Sequence, residues 1–319
     1  MKRRAFVAAS LVALPVRARA AVPIVGFLRS TPSAPFARLV AAFRKGLEEG
    51  GLVEGRSVEV EYRWADNQVE RLPALALELV HKPVAVIVGN SQAAEVAKAA
   101  TSTTPIVFVT SDDPVARGLV ASLSRPGGNV TGVTFFGAQL GAKRLELMLE
   151  ILPSARTTGV LVDPTWPGAQ AELRDVEEAA RRRGLRVVTA QAATAGSSAP
   201  AIAGLVRDKA DVLLVLGSPR FTSSAHDIAA LAAQYKLPAA YDQREFVAAG
   251  GLLSYSGSFT DAYREAGVYA ARIVKGARPS DLPVLQPSTF ALTLNLRTAK
   301  SLGLEVPRSV LLRSDEIIT

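Results

Sequence analysis

The sequence predicts an α/β protein made of two Rossmann-like lobes, each with a parallel sheet flanked by helices. Short apolar runs, typical of buried parallel strands, alternate along the chain with segments in which apolar residues recur at helical spacing. The same alternation begins again after the glycine-rich loop at 125–129. The chain of 319 residues is long enough for two such cores, at roughly 100–150 residues each.

In the first half, strands and helices alternate regularly. The helix after the first strand places Phe36, Leu39 and Phe43 on one face, and Gly50 ends it. The continuous apolar run at 84–88 is typical of a strand buried on both faces of a sheet. The predicted elements are strands at 24–29, 57–63, 84–88 and 105–109, with helices at 36–47, 70–81 and 93–100.

The second half repeats the alternation and then adds a tail. Its predicted elements are strands at 158–162, 185–189, 212–216 and 238–241, with helices at 139–152, 169–183, 199–207 and 223–235. The tail is predicted as a strand at 252–255, a helix at 261–275, a strand at 289–294 and a helix at 295–302. Because one helix and one strand follow the second lobe, we expect about three crossings between the lobes, which would act as a hinge.

The predicted division of the chain follows from these crossings. The first lobe is expected to contain residues 21–133 and 256–282. The second lobe is expected to contain residues 134–255 and 283–319. Residues 1–20 are assigned to neither lobe, because we expect them to be a cleaved export signal.

The first twenty residues have the pattern of an export signal. Basic residues at 2–4 precede an apolar stretch at 5–16, and an Ala-Arg-Ala tripeptide ends at Ala20. We therefore expect cleavage after Ala20 and a periplasmic location. The pair Arg3-Arg4 also resembles a twin-arginine signal, so the Sec and twin-arginine routes both stay open. Because the chain has no cysteine, we do not expect a lipoprotein.

Charge and composition narrow the class of partner. The formal charge is +8 at pH 7, but five basic residues and no acidic ones lie in the predicted signal. The mild excess that remains argues against nucleic acid or an anionic membrane as a partner. The lack of cysteine excludes thiol catalysis and thiolate metal sites, and we expect no cofactor and no metal. No stretch after the signal is predicted to be a transmembrane helix.

Polar residues follow most of the predicted strands. In open parallel sheets, ligands bind beyond the carboxyl ends of the strands, so these residues are candidates for ligand contact. Each of the small polar ones could instead cap the next helix, and the tryptophan could be a packing residue. The candidates are Ser30, Thr31, Asn90, Ser91, Gln92, Asp112, Asp163, Trp166, Ser218 and Asp242.

The chemistry of these candidates suits a zwitterion. Helix N-termini with hydroxyl side chains favour a carboxylate, because free N–H groups and the helix dipole both attract negative charge. Asp112, Asp163 or Asp242 could pair with an ammonium group. Trp166 could provide an aromatic surface for an apolar side chain or a cation.

Signals of catalysis are weak in this sequence. The only histidines are His81 and His226, and neither has an evident catalytic partner. The chain contains no G-x-S-x-G, P-loop or H-E-x-x-H motif. We therefore do not expect an enzyme. Two other classes stay open, an exported α/β enzyme and a ligand sensor for a membrane signalling receptor.

Several long stretches resemble the ABC transporter substrate-binding protein family of the tryptophan/tyrosine-uptake type. They include PIVGFLRS, AKRLELMLEILPSA and PIVFVTSDDPVARGLVASLSRPGGNVTGVTFF. The family is similar to type I periplasmic binding proteins, in which two α/β lobes joined by a three-strand hinge clamp a ligand between them. The resemblance extends over nearly the whole chain after the predicted signal.

The resemblance implies the solute-binding component of an ABC uptake transporter. Its expected partners are a small ligand, namely an amino acid or related compound, and an ABC permease in the inner membrane. Aromatic amino acids are suggested by characterised relatives, and the protein is expected to be a monomer. Thr131–Val133 and Tyr255–Gly257 would be hinge crossings. The candidates from Ser30 to Asp112 would line the first lobe, and those from Asp163 to Asp242 the second.

Overall fold

The computed structural model describes residues 22–135, 140–194, 196–286 and 290–319. The predicted signal at 1–20 lies outside these ranges, and so does Thr289, at which the last predicted strand begins. The described residues form two sheets of mostly parallel strands flanked by helices. The predicted fold class is therefore confirmed.

The first sheet has five parallel strands in the order β2-β1-β3-β4-β5. Thr131–Val133, predicted as a hinge crossing, lie within β5, a strand that the sequence pattern did not predict. That prediction was wrong, because these residues pair with β4 in the middle of a fully buried strand. The strands are β1 (Ile24–Arg29), β2 (Glu59–Trp64), β3 (Val84–Asn90), β4 (Ile106–Thr110) and β5 (Val130–Thr134).

The second sheet has seven strands in the order β12-β11-β10-β9-β8-β6-β7. Only the pair β10 and β11 is antiparallel among the strand pairs described. Tyr255–Gly257, predicted as a crossing, instead pairs with β11 at the end of β10. The strands are β6 (Thr157–Val162), β7 (Arg186–Gln191), β8 (Val212–Val215), β9 (Ala239–Tyr241), β10 (Leu253–Gly257), β11 (Phe290–Asn295) and β12 (Glu316–Ile318).

Helices cover both sheets. The predicted helix at 223–235 is divided in two, because Pro219 begins a short helix capped by the Ser218 side chain and Ser224 leaves helical geometry. The helices are α1 (Ala37–Glu49), α2 (Leu72–His81), α3 (Ser91–Ala100), α4 (Gly141–Ile151), α5 (Ala169–Arg182), α6 (Ser198–Arg207), α7 (Pro219–Ser223), α8 (Ala225–Gln234), α9 (Arg244–Ala248), α10 (Phe259–Val274), α11 (Leu296–Ser301) and α12 (Arg308–Arg313).

Helix α10 belongs with the first sheet, although it follows a strand of the second. It packs along α1, and the two backbones approach so closely that a β-carbon at Gly46 would lie 1.8 Å from the carbonyl oxygen of Arg264. We call the first sheet with α1, α2, α3 and α10 the first lobe, and the second sheet with the other helices the second lobe. The chain leaves the first lobe after β5, returns after β10 and rejoins the second sheet at β11.

Each lobe has an apolar core on both faces of its sheet. In the first lobe, Phe27 of β1 packs against Phe43 of α1 and Tyr263 of α10. In the second lobe, Met148, Val176 and Leu214 lie between the sheet and the helices α4 and α5. The carboxyl ends of the two sets of parallel strands face each other, and a cleft lies between the lobes. No helix in the described ranges is long and apolar enough to cross a membrane.

Candidate functional site

A cavity of about 410 Å³ lies between the carboxyl ends of the two sheets. We call it the central cavity. Its lining comes from both lobes, as expected for the cleft of an open parallel sheet. Among the residues predicted from the sequence, it is lined by Asn90, Ser91, Trp166, Ser218 and Asp242.

Two smaller pockets adjoin the central cavity and share Trp166 with it. The first, of about 310 Å³, is lined by Asp112, Arg144, Glu172 and Asp242, and we call it the acidic pocket. The second, of about 250 Å³, is the outer pocket. Of the predicted residues, the outer pocket receives Ser30, Gln92, Asp163, Trp166 and Ser218.

Trp166 is held at the junction of these pockets by a compact loop. Asp163 builds the loop, because its Oδ1 accepts hydrogen bonds from the backbone N–H and the hydroxyl of Thr165, at 3.0 and 2.6 Å. Its Oδ2 accepts from the hydroxyl of Ser218 at 2.7 Å and lies 3.5 Å from Nε of Arg220. Both oxygens of Asp163 are therefore engaged within the second lobe, and we assign it to supporting Trp166.

Ser30, Thr31 and Asn90 also have partners within their own lobe. The Ser30 hydroxyl accepts from Nδ2 of Asn90 at 2.9 Å, and the backbone N–H of Ser30 donates to Oδ1 of Asn90 at 3.2 Å. Thr31 is fully buried and lines none of the three pockets. Its hydroxyl accepts a hydrogen bond from Nε of Arg29 at 3.2 Å.

Arg29, the last residue of β1, lines the central cavity and was missed by the sequence analysis. It is 2% exposed, and its guanidinium lies 4.0 Å from the centre of the Phe36 ring. Nη1 donates to the hydroxyl of Tyr263, whereas Nη2 has no hydrogen bond to any described residue. Burial lowers the pKa of Arg29, and no carboxylate in the described chain compensates for it. A buried guanidinium with a spare donor is suited to bind a carboxylate.

Aromatic rings form much of the remaining wall. Phe135, which follows β5, meets Phe259 at the start of α10, with ring centres 4.1 Å apart. Trp166 lies on the side contributed by the second lobe and is 7% exposed. The rings that line the central cavity are those of Phe36, Phe135, Trp166, Phe259 and Tyr263.

Three buried carboxylates line the acidic pocket, and we call Asp112, Glu172 and Asp242 the cleft carboxylates. Asp112 is 4% exposed, and neither of its oxygens has a hydrogen-bond partner among the described residues. Asp242 is 9% exposed, and its Oδ1 likewise has no partner in that part of the chain. Glu172 differs, because it is paired with the buried Arg144 and accepts from the N–H of Gly217 at 2.9 Å.

Burial makes these carboxylates weaker acids than usual. Loss of solvation raises the pKa of Asp112 to about 6, with Glu95 adding to the shift and Arg117 and Ser91 opposing it. The same cause raises the pKa of Asp242 to about 6, against the attraction of Arg144.

The pKa of Glu172 is also raised by burial, and Asp242 and Asp112 both contribute to the shift. Arg144 opposes it through its ion pair with Glu172, and the N–H of Gly217 opposes it through a hydrogen bond. The three carboxyl groups are therefore close enough to influence one another across the two lobes. Asp112 comes from the first lobe, whereas Glu172 and Asp242 belong to the second.

The arrangement has one end suited to an anion and another suited to a cation. Arg29 offers a donor to a carboxylate, and Ser91 at the first turn of α3 lies beside it on the cavity wall. Asp112 and Asp242 offer oxygens to an ammonium group. Neither histidine lines these three pockets, and no group of three or more metal-binding side chains occurs within the described ranges.

The family model of the ABC transporter substrate binding protein matches residues 32–318 of the chain. A curated relative, the tyrosine-binding protein of Clostridioides difficile (strain R20291), is 27% identical over 264 residues. This alignment covers 82% of the present chain and 76% of the relative.

Three solved structures are similar to the chain in both sequence and fold. A conserved domain protein from Vibrio cholerae is 26% identical with a TM-score of 0.86, covering 93% of this chain and 99% of that one. The ABC domain from Streptococcus pneumoniae in complex with L-Trp is 25% identical with a TM-score of 0.85 and the same coverage. A ligand-free, open substrate binding protein from Clostridium difficile is also 25% identical, covering 93% and 100%, but its TM-score is 0.67.

Proposed function

This chain belongs to the ABC transporter substrate-binding protein family, and from that premise we propose that its ligand is an amino acid with an aromatic side chain. Members of the family are binding proteins of ABC importers and act outside the cytoplasm. The family is not a class of enzymes. We further propose that this protein releases its ligand chemically unchanged.

One observation carries the amino-acid proposal. A buried guanidinium with a spare donor and two buried carboxylates with spare oxygens line adjoining parts of one aromatic cleft. Arg29 would bind the carboxylate of the amino acid, and Asp242 with Asp112 would bind its ammonium group. The side chain would then pack among the aromatic rings of the central cavity, where its burial from water is favourable.

The relatives support the same chemistry. One is named for tyrosine, and another was solved with L-Trp. The L-Trp complex and the open relative are equally similar in sequence, yet the TM-score is much higher for the complex. This difference supports a closed arrangement of the two lobes in the present structure.

We propose the following cellular context. The two lobes rotate about the connections that follow β5, follow β10 and precede β11, and they close over the ligand. The protein acts as a monomer in the periplasm after cleavage at Ala20, and it delivers its ligand to an ABC permease of the inner membrane. The Sec and twin-arginine routes would both deliver it there.

Calorimetric titration with the twenty amino acids tests this proposal. We expect binding of L-tryptophan or L-tyrosine, and a weakening by roughly 10- to 100-fold in Arg29→Gln, since a hydrogen bond to a charged group contributes about 1.5–3 kcal/mol. Arg174→Gln, at an exposed position of α5, is the matched control and should bind as the wild type does. The proposal fails if no amino acid binds, or if Arg29→Gln binds normally. Recovery of the unaltered amino acid by mass spectrometry tests the absence of catalysis.

A further inference from the structure

Asp112 is the one cleft carboxylate that the first lobe contributes, and it touches the second lobe. A β-carbon at Gly168, the residue before α5, would lie only 2.0 Å from Oδ1 of Asp112 and 3.3 Å from Nε1 of Trp166. The carboxylate is therefore pressed against the backbone of the opposite lobe. This contact exists only when the two lobes are together, because its two sides belong to different sheets.

The negative charges around this contact outnumber the positive ones. Glu172 and Asp242 lie on the second-lobe side of the acidic pocket, and Arg144 is the cation that faces them. Arg144 is already paired with Glu172, and Arg117, the cation that attracts Asp112 from its own lobe, is paired with Glu95. Closure therefore carries Asp112 out of water and toward two further carboxylates, while both of its oxygens remain without a partner in the described chain. Burying a charge in this way is costly unless a cation joins it.

We propose that Asp112 is a specificity-determining residue, which makes closure of the lobes depend on a positively charged group of the ligand. The inference rests on the proposed function and deepens it. An ammonium group placed between Asp112 and Asp242 compensates for the charges that closure brings together. A molecule with the same ring and carboxylate but no amine reaches the central cavity and leaves the lobes open.

The test compares L-tryptophan with indole-3-propionate, which lacks only the amine. Because the chain has no cysteine, the substitutions Glu70→Cys in the first lobe and His226→Cys in the second provide two unique positions for spin labels. Both side chains are exposed. Pulsed electron paramagnetic resonance then measures the distance between the two labels, one on each lobe. Calorimetry measures the dissociation constant of each compound.

Asp112→Asn is the informative variant, because it keeps the shape of the side chain and removes its charge. Asp113→Asn is the matched control. Asp113 is exposed, and its Oδ1 accepts a hydrogen bond from the N–H of Val115, which asparagine can also do. Circular dichroism of all variants confirms that each one is folded before binding is measured.

In the wild type, we expect L-tryptophan to shorten the distance between the labels and indole-3-propionate to leave it unchanged. In Asp112→Asn, the dissociation constant should rise for L-tryptophan and fall for indole-3-propionate, changing their ratio by at least about tenfold. A purely structural role would move both constants in the same direction. The inference is overturned if Asp112→Asn keeps the wild-type ratio and the wild-type distances.

Failure of the proposed function gives a different result. If the wild type binds neither compound and none of the twenty amino acids, the amino-acid assignment is wrong. The role of Asp112 is then tested by measuring the distance between the spin labels in ligand-free protein. Asp112→Asn, but not Asp113→Asn, must raise the proportion of molecules with the short distance by roughly tenfold. An unchanged proportion would overturn the inference independently of any ligand.

Discussion

Replacement of Gly168 by alanine should block closure of the cleft without disturbing either lobe. The backbone of Gly168 has φ −77° and ψ −13°, which alanine adopts without strain. In the closed arrangement, however, the new β-carbon would lie 2.0 Å from Oδ1 and 3.0 Å from the carboxyl carbon of Asp112. Two non-bonded heavy atoms cannot approach to 2.0 Å, so the lobes must separate locally or the aspartate must be displaced.

The size of the effect follows from the packing. Inserting a methylene into a well-packed region typically costs about 1–3 kcal/mol, which corresponds to roughly 5- to 150-fold in the dissociation constant. Most of this cost falls on the closed arrangement, because the contact with Nε1 of Trp166 within the second lobe, at 3.3 Å, is far milder than the approach to Asp112. The free energy of unfolding should therefore change by less than about 1 kcal/mol, the usual range for an exchange of glycine and alanine at a compatible position.

Calorimetry with L-tryptophan and urea unfolding of the same samples check both values. Gly204→Ala is the matched control, because its β-carbon would meet only the Arg207 guanidinium at 3.7 Å, far from the cleft residues. Because Asp112→Ala removes the clash, adding Gly168→Ala to it should weaken L-tryptophan binding no further than Asp112→Ala alone does. Wild-type affinity in Gly168→Ala, or an equal loss in the Gly204→Ala control, would refute the reasoning.

Three further predictions concern the pH dependence of closure, the fluorescence of Trp166 and the buried ion pair of Arg144. Asp112 and Asp242 have pKa values raised by burial to about 6, against an ordinary value near 4, so the closed form binds protons more tightly than a solvated open form. Lowering the pH from about 8 to about 5 should therefore make ligand-free protein more compact in X-ray scattering, and an unchanged radius of gyration would contradict this. With L-tyrosine as the ligand and light absorbed only by tryptophan, Trp166→Phe should abolish the fluorescence change on binding, because Trp64 packs against Phe27 and lines none of the three pockets; a persisting change would assign the signal to Trp64. Arg144→Leu should lower the free energy of unfolding by about 3–5 kcal/mol, as expected when one partner of a buried ion pair is removed, and a loss below about 1 kcal/mol would argue against that pair.

Much of the fold could be predicted from local patterns. The fully apolar strands β3 and β4 were recognised because burial on both faces requires continuous apolar sequence. Strand β5 was missed, since its sequence VTGVT has a glycine at its centre and directly follows the glycine-rich loop at 125–129. Its place in the sheet comes from pairing with β4, a contact that local sequence does not encode.

The site was predicted in part. The rule that ligands bind beyond strand ends identified Asp112, Trp166 and Asp242, which do line the cleft. It could not separate them from Asp163, because a residue that builds a loop and one that faces a ligand occupy the same position after a strand. Arg29 was missed for the opposite reason, since arginine at a strand end is usually solvated.

Two further residues were missed although the sequence carries a signal for them. Helical spacing places Arg144 on the face of α4 that buries Met148 and Ile151, and Glu172 lies four residues before the buried Val176 of α5. They become a buried pair only because α4 and α5 pack side by side beneath the cleft. Tyr263 similarly meets Arg29 through the return of α10 to the first lobe.

That return sets the order in which the molecule can be completed during synthesis. The last strand of the first sheet ends at Thr134, but the helix that covers one face of the sheet begins only at Phe259. Until then, the face of the sheet that carries Phe27 is covered by α1 and lacks the cover of α10. The first lobe to be translated is therefore unable to finish folding before most of the second has emerged.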